Sequence, residues 1–184
     1  MSKRLFDLII SIIGILILLP IFIITSLFIV TDGGPVIYKQ VRVGFRGKEF
    51  SIFKFRSMVT DADKTGGYST LPDDKRVTPV GKFIRKTSID ELPQLINVVM
   101  GQMSLVGPRP NVPAQCEEYT KEQWEKRNSV TPGITGVAQS RNRSNATWQE
   151  RYNMDIEYVD NKSLFLDIKI IIDTFKQVLS KGSY

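Results

Sequence analysis

The chain has 184 residues, 42% of them hydrophobic, and a net charge of +6, which is enough apolar content for one folded core and a membrane segment. A single cysteine and no histidine exclude an intramolecular disulfide, a histidine-based triad and a histidine-ligated zinc site. Carboxylates and cations are left to do any chemistry, and the lone Cys116 suits a reducing cytoplasmic compartment.

Leu8–Val30 is uncharged and long enough as a helix to cross a bilayer core. It is too long for the apolar region of a signal peptide and lacks a small-residue cleavage site, so it is expected to stay in the mature chain as an anchor over residues 1–31. Lys3, Arg4, Lys39, Arg42, Arg46, Lys48, Lys54 and Arg56 stand against Asp7, Asp32 and Glu49, so most of the positive excess flanks this run. That placement suits anionic headgroups and phosphate substrates, and nucleic-acid binding would tolerate it too. The positive-inside tendency asks for both ends in the cytoplasm, which a re-entrant helix bent at Pro20 satisfies. Proline kinks also occur in spanning helices, so the residues alone leave a kinked span open.

A domain over residues 32–184 follows. Asp32-Gly33-Gly34-Pro35 reads as a loop, and Val36–Val43 and Glu49–Met58 read as a hairpin around Gly44–Gly47. Phe50, Ile52, Phe53 and Phe55 are core candidates. Lys54 and Arg56 share a face by strand alternation, either solvated or touching a phosphate or carboxylate. Thr60–Asp74 reads as a polar, mobile loop able to close over a substrate. Val80–Lys86 reads as a short helix bearing Arg85, which could bind phosphate directly or position Asp90 through a salt bridge.

Ser88–Pro110 is the most informative stretch. Pro93 needs no backbone donor only in a first helical turn, so the sequence predicts Asp90 as N-cap, Glu91 at the first position and Pro93 at the third. On the positive end of the helix dipole Asp90 would be ionised, fit to act as a nucleophile or as an oxygen ligand for a divalent metal. Plain capping explains an Asp there as well, and a Ser88–Glu91 capping box ranks lower because it would push Pro93 too deep. Leu92, Leu95, Ile96 and Val99 form a candidate core stripe, with Gly101 as the C-terminal stop. Pro108 and Pro110 stiffen the chain around Arg109, whose guanidinium can grip phosphate bidentately or simply sit on the surface.

Downstream, Ala114–Arg127 should be helical with Tyr119 and Trp124 partly buried. Pro132-Gly133 has the residues of a type II turn. Gln139, Arg141 and Arg143 follow in a polar loop, where they could grip a nucleotide or sugar diphosphate. Trp148–Val159 and Ser163–Leu179 read as helices, the last with Phe165, Ile168, Ile171, Ile172, Phe175 and Leu179 as an apolar stripe opposite Asp167, Lys169 and Asp173. Core packing is the default for that stripe and a membrane interface the minor alternative. The fold class is α+β, mostly helical.

Four ordered motifs, Lys54-Phe55-Arg56-Ser57-Met58, Ile89-Asp90-Glu91-Leu92-Pro93-Gln94-Leu95, Ser104-Leu105-Val106-Gly107-Pro108-Arg109-Pro110 and Pro132-Gly133-Ile134-Thr135-Gly136, resemble the bacterial sugar transferases, the monotopic phosphoglycosyl transferases. The likeness covers nearly the whole chain. It implies transfer of a sugar phosphate from a nucleoside diphosphate sugar, usually a UDP-sugar, to polyprenyl (undecaprenyl) phosphate with Mg²⁺, and a covalent nucleophile at Asp90, also the metal-ligand candidate. Glu91 would serve as a base or hold the metal. The resemblance favours Arg56 and Arg143 as substrate contacts beside Arg85, Arg109 and Gln139. It also implies a helix-break-helix anchor that enters and leaves one leaflet, hence a monotopic protein on the cytoplasmic face of the bacterial inner membrane. The family often has Ser-Pro at the break where this chain has Leu19-Pro20. A homodimer is left open. The rival class is a membrane-anchored basic module for nucleic acid or anionic lipid, which leaves the Asp-Glu and Pro-Arg-Pro motifs unexplained.

Overall fold

The computed structural model describes residues 2–62, 66, 73–142 and 146–181. Helix α1 (Lys3–Thr31) starts at Ser2, whose side chain accepts from the Leu5 amide, and runs on through Pro20. By length and composition it could cross a membrane. One face of it packs on the rest of the chain: Asp7, Ser11, Thr25 and Ile29 are buried, and Ile15, Leu18 and Phe22 pack against core clusters between them. These positions recur every three to four residues, a helical stripe. The other side keeps Leu16, Ile17 and Leu27 more than half exposed.

Polar contacts fix both ends of α1 to the same domain. At the start, Lys3 Nζ lies 2.7 Å from Asp167 Oδ2, and Ser104 Oγ donates to Asp7 Oδ2 at 2.8 Å. At the finish, the buried Arg56 donates to the Ile29 carbonyl at 2.9 Å.

Strands β1 (Ile37–Val43) and β2 (Glu49–Phe55) form the expected antiparallel hairpin, with Ile37 opposite Phe55 and Val43 opposite Glu49. Helix α2 (Pro79–Lys86) also forms where expected, capped by Thr78. Helix α3 spans Gln94–Val99 and presents Leu95, Val98, Gln94 and Asn97 inward, while Ile96 is 39% exposed. The predicted stripe is therefore rotated. Asn97 explains the rotation: its amide accepts from Phe53 N at 2.9 Å and donates to Ser51 O at 2.8 Å, standing in for a further strand on the edge of β2. Gly101 ends the helix with φ +81°. Arg4 caps the same helix end, donating to Val98 O and Val99 O at 2.6 and 2.9 Å.

Strand β3 (Ser104–Val106) pairs in parallel with β4 (Gly133–Thr135). Gly133 does not take a positive φ, so Pro132-Gly133 is not the type II turn that its residues suggested. The glycine serves close approach instead: a Cβ there would run into the backbone of Gly107. The helix expected over Ala114–Arg127 is two pieces, a 3₁₀ turn over Pro113–Glu118 and α4 (Lys121–Arg127), broken at the extended Tyr119. Thr120 restarts the chain through a capping box with Gln123, a Thr-x-x-Gln signal present in the sequence.

Gln139 and Arg141 sit on α5 (Val137–Asn142) rather than in a loop. Helices α6 (Trp148–Asn161) and α7 (Leu164–Lys181) close the chain. Most of the apolar stripe of α7 faces outward, with Phe165 80% and Phe175 66% exposed, whereas Ile171 packs on the core and Asp167 is buried; the Leu179 side chain lies outside the described residues. Polar partners decide this. Asp167 takes Lys3 on one oxygen and the buried Tyr158 hydroxyl, at 2.8 Å, on the other, and Thr174 pairs with Thr135 of β4 at 2.7 Å. Most of the expected Thr60–Asp74 loop lies outside the described residues.

Candidate active site

Ser88 leaves α2 in the left-handed region at φ 58°, and the chain then makes a 3₁₀ turn over Ile89–Glu91 before α3. Asp90 is therefore not the N-cap. Pro93 occupies that position and Gln94 opens the helix, because Pro93 offers no N–H to the turn before it and the chain winds through i→i+3 bonds, Leu92 N to Ile89 O and Leu95 N to Leu92 O. The Ser88 side chain makes no capping bond.

This turn separates the two adjacent carboxylates by role. Glu91 is held by two cations: Lys54 Nζ lies 2.8 Å from its Oε1, and Arg109 donates to both oxygens, the NH1 bond being 3.3 Å. Asp90, 8% exposed, instead lines a cavity of about 980 Å³. Burial, then the neighbouring Glu91 charge, push Asp90 up to about 6, against the pull of Lys54, Arg85 and Arg109. The sequence argument for an easily ionised Asp90 thus fails on burial. Burial acts on Glu91 as well, but Arg109 and Lys54 outweigh it and hold that carboxyl well below its usual range.

The Pro-Arg-Pro turn is gripped from both sides by arginines that sequence spacing did not reveal. Arg42 donates to Pro110 O at 3.0 Å and Arg127 to Arg109 O at 2.7 Å, and Arg127 is itself paired with the buried Asp155 at 2.8 Å. Burial and then the nearby Arg109 lower Arg42 to about 10. Their partners lie 68 and 18 residues away in the chain, so only the fold could show them.

Arg56, Arg85, Arg109 and Gln139 all line the cavity with Asp90. Arg56 ties down the end of α1 as well, so its guanidinium is partly committed to the fold. Arg85 acts on Asp90 through its charge. Arg141 is taken up by a bidentate pair with Glu157 at 2.7 Å, and Arg143 lies outside the described residues. Nine cationic side chains line the cavity among the described residues, against Asp90, Glu118 and Asp155. A cavity so rich in cations, with Asp90 among its few carboxylates, suits chemistry on a phosphorylated substrate.

Among the described residues no three potential ligands cluster, so Asp90 in the cavity would be the protein's ligand to a magnesium ion. Magnesium takes one or two carboxylates and completes its shell with waters and substrate phosphates.

The sequence model of the bacterial sugar transferase family matches residues 1–181. The chain is 46% identical over 179 residues to the uncharacterized sugar transferase EpsL of Bacillus subtilis, covering 96% of this chain and 87% of that protein. It is 40% identical over 191 residues to the UDP-glucose:undecaprenyl-phosphate glucose-1-phosphate transferase of Klebsiella pneumoniae, covering 99% of this chain and 41% of that protein. Identity is also 40%, over 198 residues, to the undecaprenyl-phosphate galactose phosphotransferase of Salmonella typhimurium, with coverage of 99% and 41%. The chain therefore spans most of the short relative and about two fifths of the longer ones. It belongs to the bacterial sugar transferase family. It is a transferase.

A pH profile checks the carboxylate assignment. If Asp90 must be ionised to react, kcat/KM for the donor should fall about tenfold per unit once the pH drops below roughly 6, since that parameter reports the free enzyme. An acid limb near pH 4 in the absence of Mg²⁺ would contradict the raised pKa that burial gives Asp90.

Proposed function

We propose that the protein transfers a sugar-1-phosphate from a UDP-sugar to polyprenyl phosphate through a phosphoaspartyl intermediate on Asp90. The observation that carries this reading is the division of labour at the Asp-Glu pair: Glu91 is bound to Lys54 and Arg109, while Asp90 faces the cationic cavity. The relatives named for glucose or galactose transfer to undecaprenyl phosphate support the same substrate classes.

In the first half-reaction an Asp90 carboxylate oxygen attacks the sugar-bearing phosphorus, the bond to the nucleoside monophosphate breaks, and UMP departs with that electron pair. Arg85 and Arg109 offset the charge that builds on the phosphoryl oxygens. Glu91 acts as the anchor that orients Lys54 and Arg109, and its low pKa argues against a role as general base. In the second half-reaction a phosphate oxygen of the lipid displaces Asp90, which is regenerated. Magnesium, held by Asp90 and the diphosphate, would supply charge neutralisation for the leaving group. A covalent step lets one site serve a soluble donor and a lipid acceptor in turn. Donor without acceptor should release one UMP per enzyme in a burst, and continued turnover should start only with polyprenyl phosphate. No burst, with turnover only when both substrates are present, would favour direct transfer.

The same reading places the protein on the cytoplasmic face of the bacterial inner membrane. A surface-lying α1 is supported by the attachment of both its ends to one domain, which a helix leading straight across the bilayer would not show, whereas the expected break at Pro20 finds no counterpart in the continuous helix. Exposed apolar side chains on α1 and α7, such as Ile17 and Phe165, would then meet lipid. Thiol labelling tests this arrangement. The exposed Cys116, and a cysteine placed at Ser2 in a Cys116→Ser background, should both resist an impermeant reagent in intact cells and react once the membrane is opened. Labelling of position 2 from outside would establish a span.

A further inference from the structure

Part of the cavity lining carries polar atoms that nothing in the protein satisfies. Both amide atoms of Gln139, Oε1 and Nε2, are buried without a hydrogen-bond partner, as are the Trp148 indole N–H and Asn111 Nδ2, and all three residues line the cavity. Leaving such groups unpaired is unfavourable, so their presence points to a ligand that pairs with them. Glycine at 136 keeps the amide from being crowded, since a Cβ there would press on Gln139 Oε1 at 3.1 Å and clash with Gly107 O at 2.4 Å.

A line of contacts joins Trp148 to the Glu91 carboxylate beside Asp90. Arg109 holds Glu91, its carbonyl takes Arg127, the Arg127 guanidinium lies 5.8 Å from the centre of the Tyr119 ring, and Tyr119 packs on Trp148 at 5.0 Å. Trp148 stacks in turn on Tyr152, 5.8 Å between centroids with the planes 5° apart, which fixes the indole in place. Guanidinium groups therefore lie between the Glu91 carboxylate and an aromatic cluster whose Trp148 lines the same cavity as Gln139 and Asn111. A nucleoside diphosphate sugar has the matching order of sugar phosphate, diphosphate and base.

Gln139 narrows the ligand chemistry further. Phosphate oxygens only accept, so they could satisfy Nε2 and would leave Oε1 unpaired. The imide edge of uracil offers a donor, N3–H, beside a carbonyl acceptor in one plane, and a primary amide meets both at once. We infer that Gln139 reads the imide edge of the donor's uracil and is a specificity-determining residue for the nucleobase. This rests on the nucleotide-sugar reading given above.

The test is the binding of UDP and of UDP methylated at uracil N3 to the full chain in lipid, followed by calorimetry, with wild type and Gln139→Ala. Wild type should bind the methylated nucleotide about tenfold or more weaker, the usual scale for losing a paired polar contact. Gln139→Ala should lose a similar factor for UDP and bind the two nucleotides alike. Equal binding of both nucleotides by wild type would overturn the inference while leaving the nucleotide site intact, and it needs no variant to fold. Discrimination that persists in Gln139→Ala would place base reading elsewhere. Failure of UDP to bind at all would overturn the underlying reading together with this one.

Discussion

Asp90→Asn should lose about a thousandfold or more in transfer rate, because the amide keeps the shape of the side chain but is no nucleophile. Its stability should move the other way. The folded pKa of Asp90 is raised, so at pH 7 the folded state carries an ion that burial and Glu91 disfavour. That penalty is fully present above about pH 6 and disappears below pH 4, where the side chain is protonated whether folded or not. Removing the charge should therefore leave stability at pH 7.5 unchanged or higher, by about 3 kcal/mol at most, and the melting temperature should not fall. A clear drop would show that the aspartate holds the turn, which is the capping role that the residue type alone also allows.

Glu91→Gln should also be severe, for a different reason. The substitution removes the anion that holds Lys54 and Arg109, leaving Lys54 buried without its countercharge. Breaking a fully buried pair costs about 3–5 kcal/mol; Arg109 is half exposed, so roughly 2 kcal/mol is expected here. With Arg109 released from its position, kcat should fall about a hundredfold. The acid limb of the rate profile should shift below pH 6 at the same time, because Glu91's charge is one of the causes that raise Asp90. A Glu91 that acted as a general base would give loss of rate without that shift. Rate and thermal melting measured across pH separate the two.

Much of the fold could be read from local pattern. The hairpin follows from two apolar runs around Gly44–Gly47, and α2, α6 and α7 from helical spacing. What local pattern misses is direction. The α7 stripe has the same period whether it faces core or solvent, and the choice is made by Asp167 pairing with Lys3, 164 residues away. Likewise Gly133 reads as a turn glycine until Gly107 is seen packed against it. At the site, the motifs supply Asp90, Glu91 and Arg109, but the sequence assigns Asp90 its ionisation from a helix dipole, whereas burial in the folded chain sets it. The arginines that hold the Pro-Arg-Pro turn come from β1 and α4 and leave no trace in local spacing.

The most direct measurement of the central claim is the intact mass of the protein after exposure to UDP-sugar and Mg²⁺ with no lipid acceptor. The account predicts a gain equal to one sugar phosphate, mapped to Asp90 and lost when polyprenyl phosphate is added. An unchanged mass under conditions that support turnover, or an adduct that persists in Asp90→Asn, would contradict it.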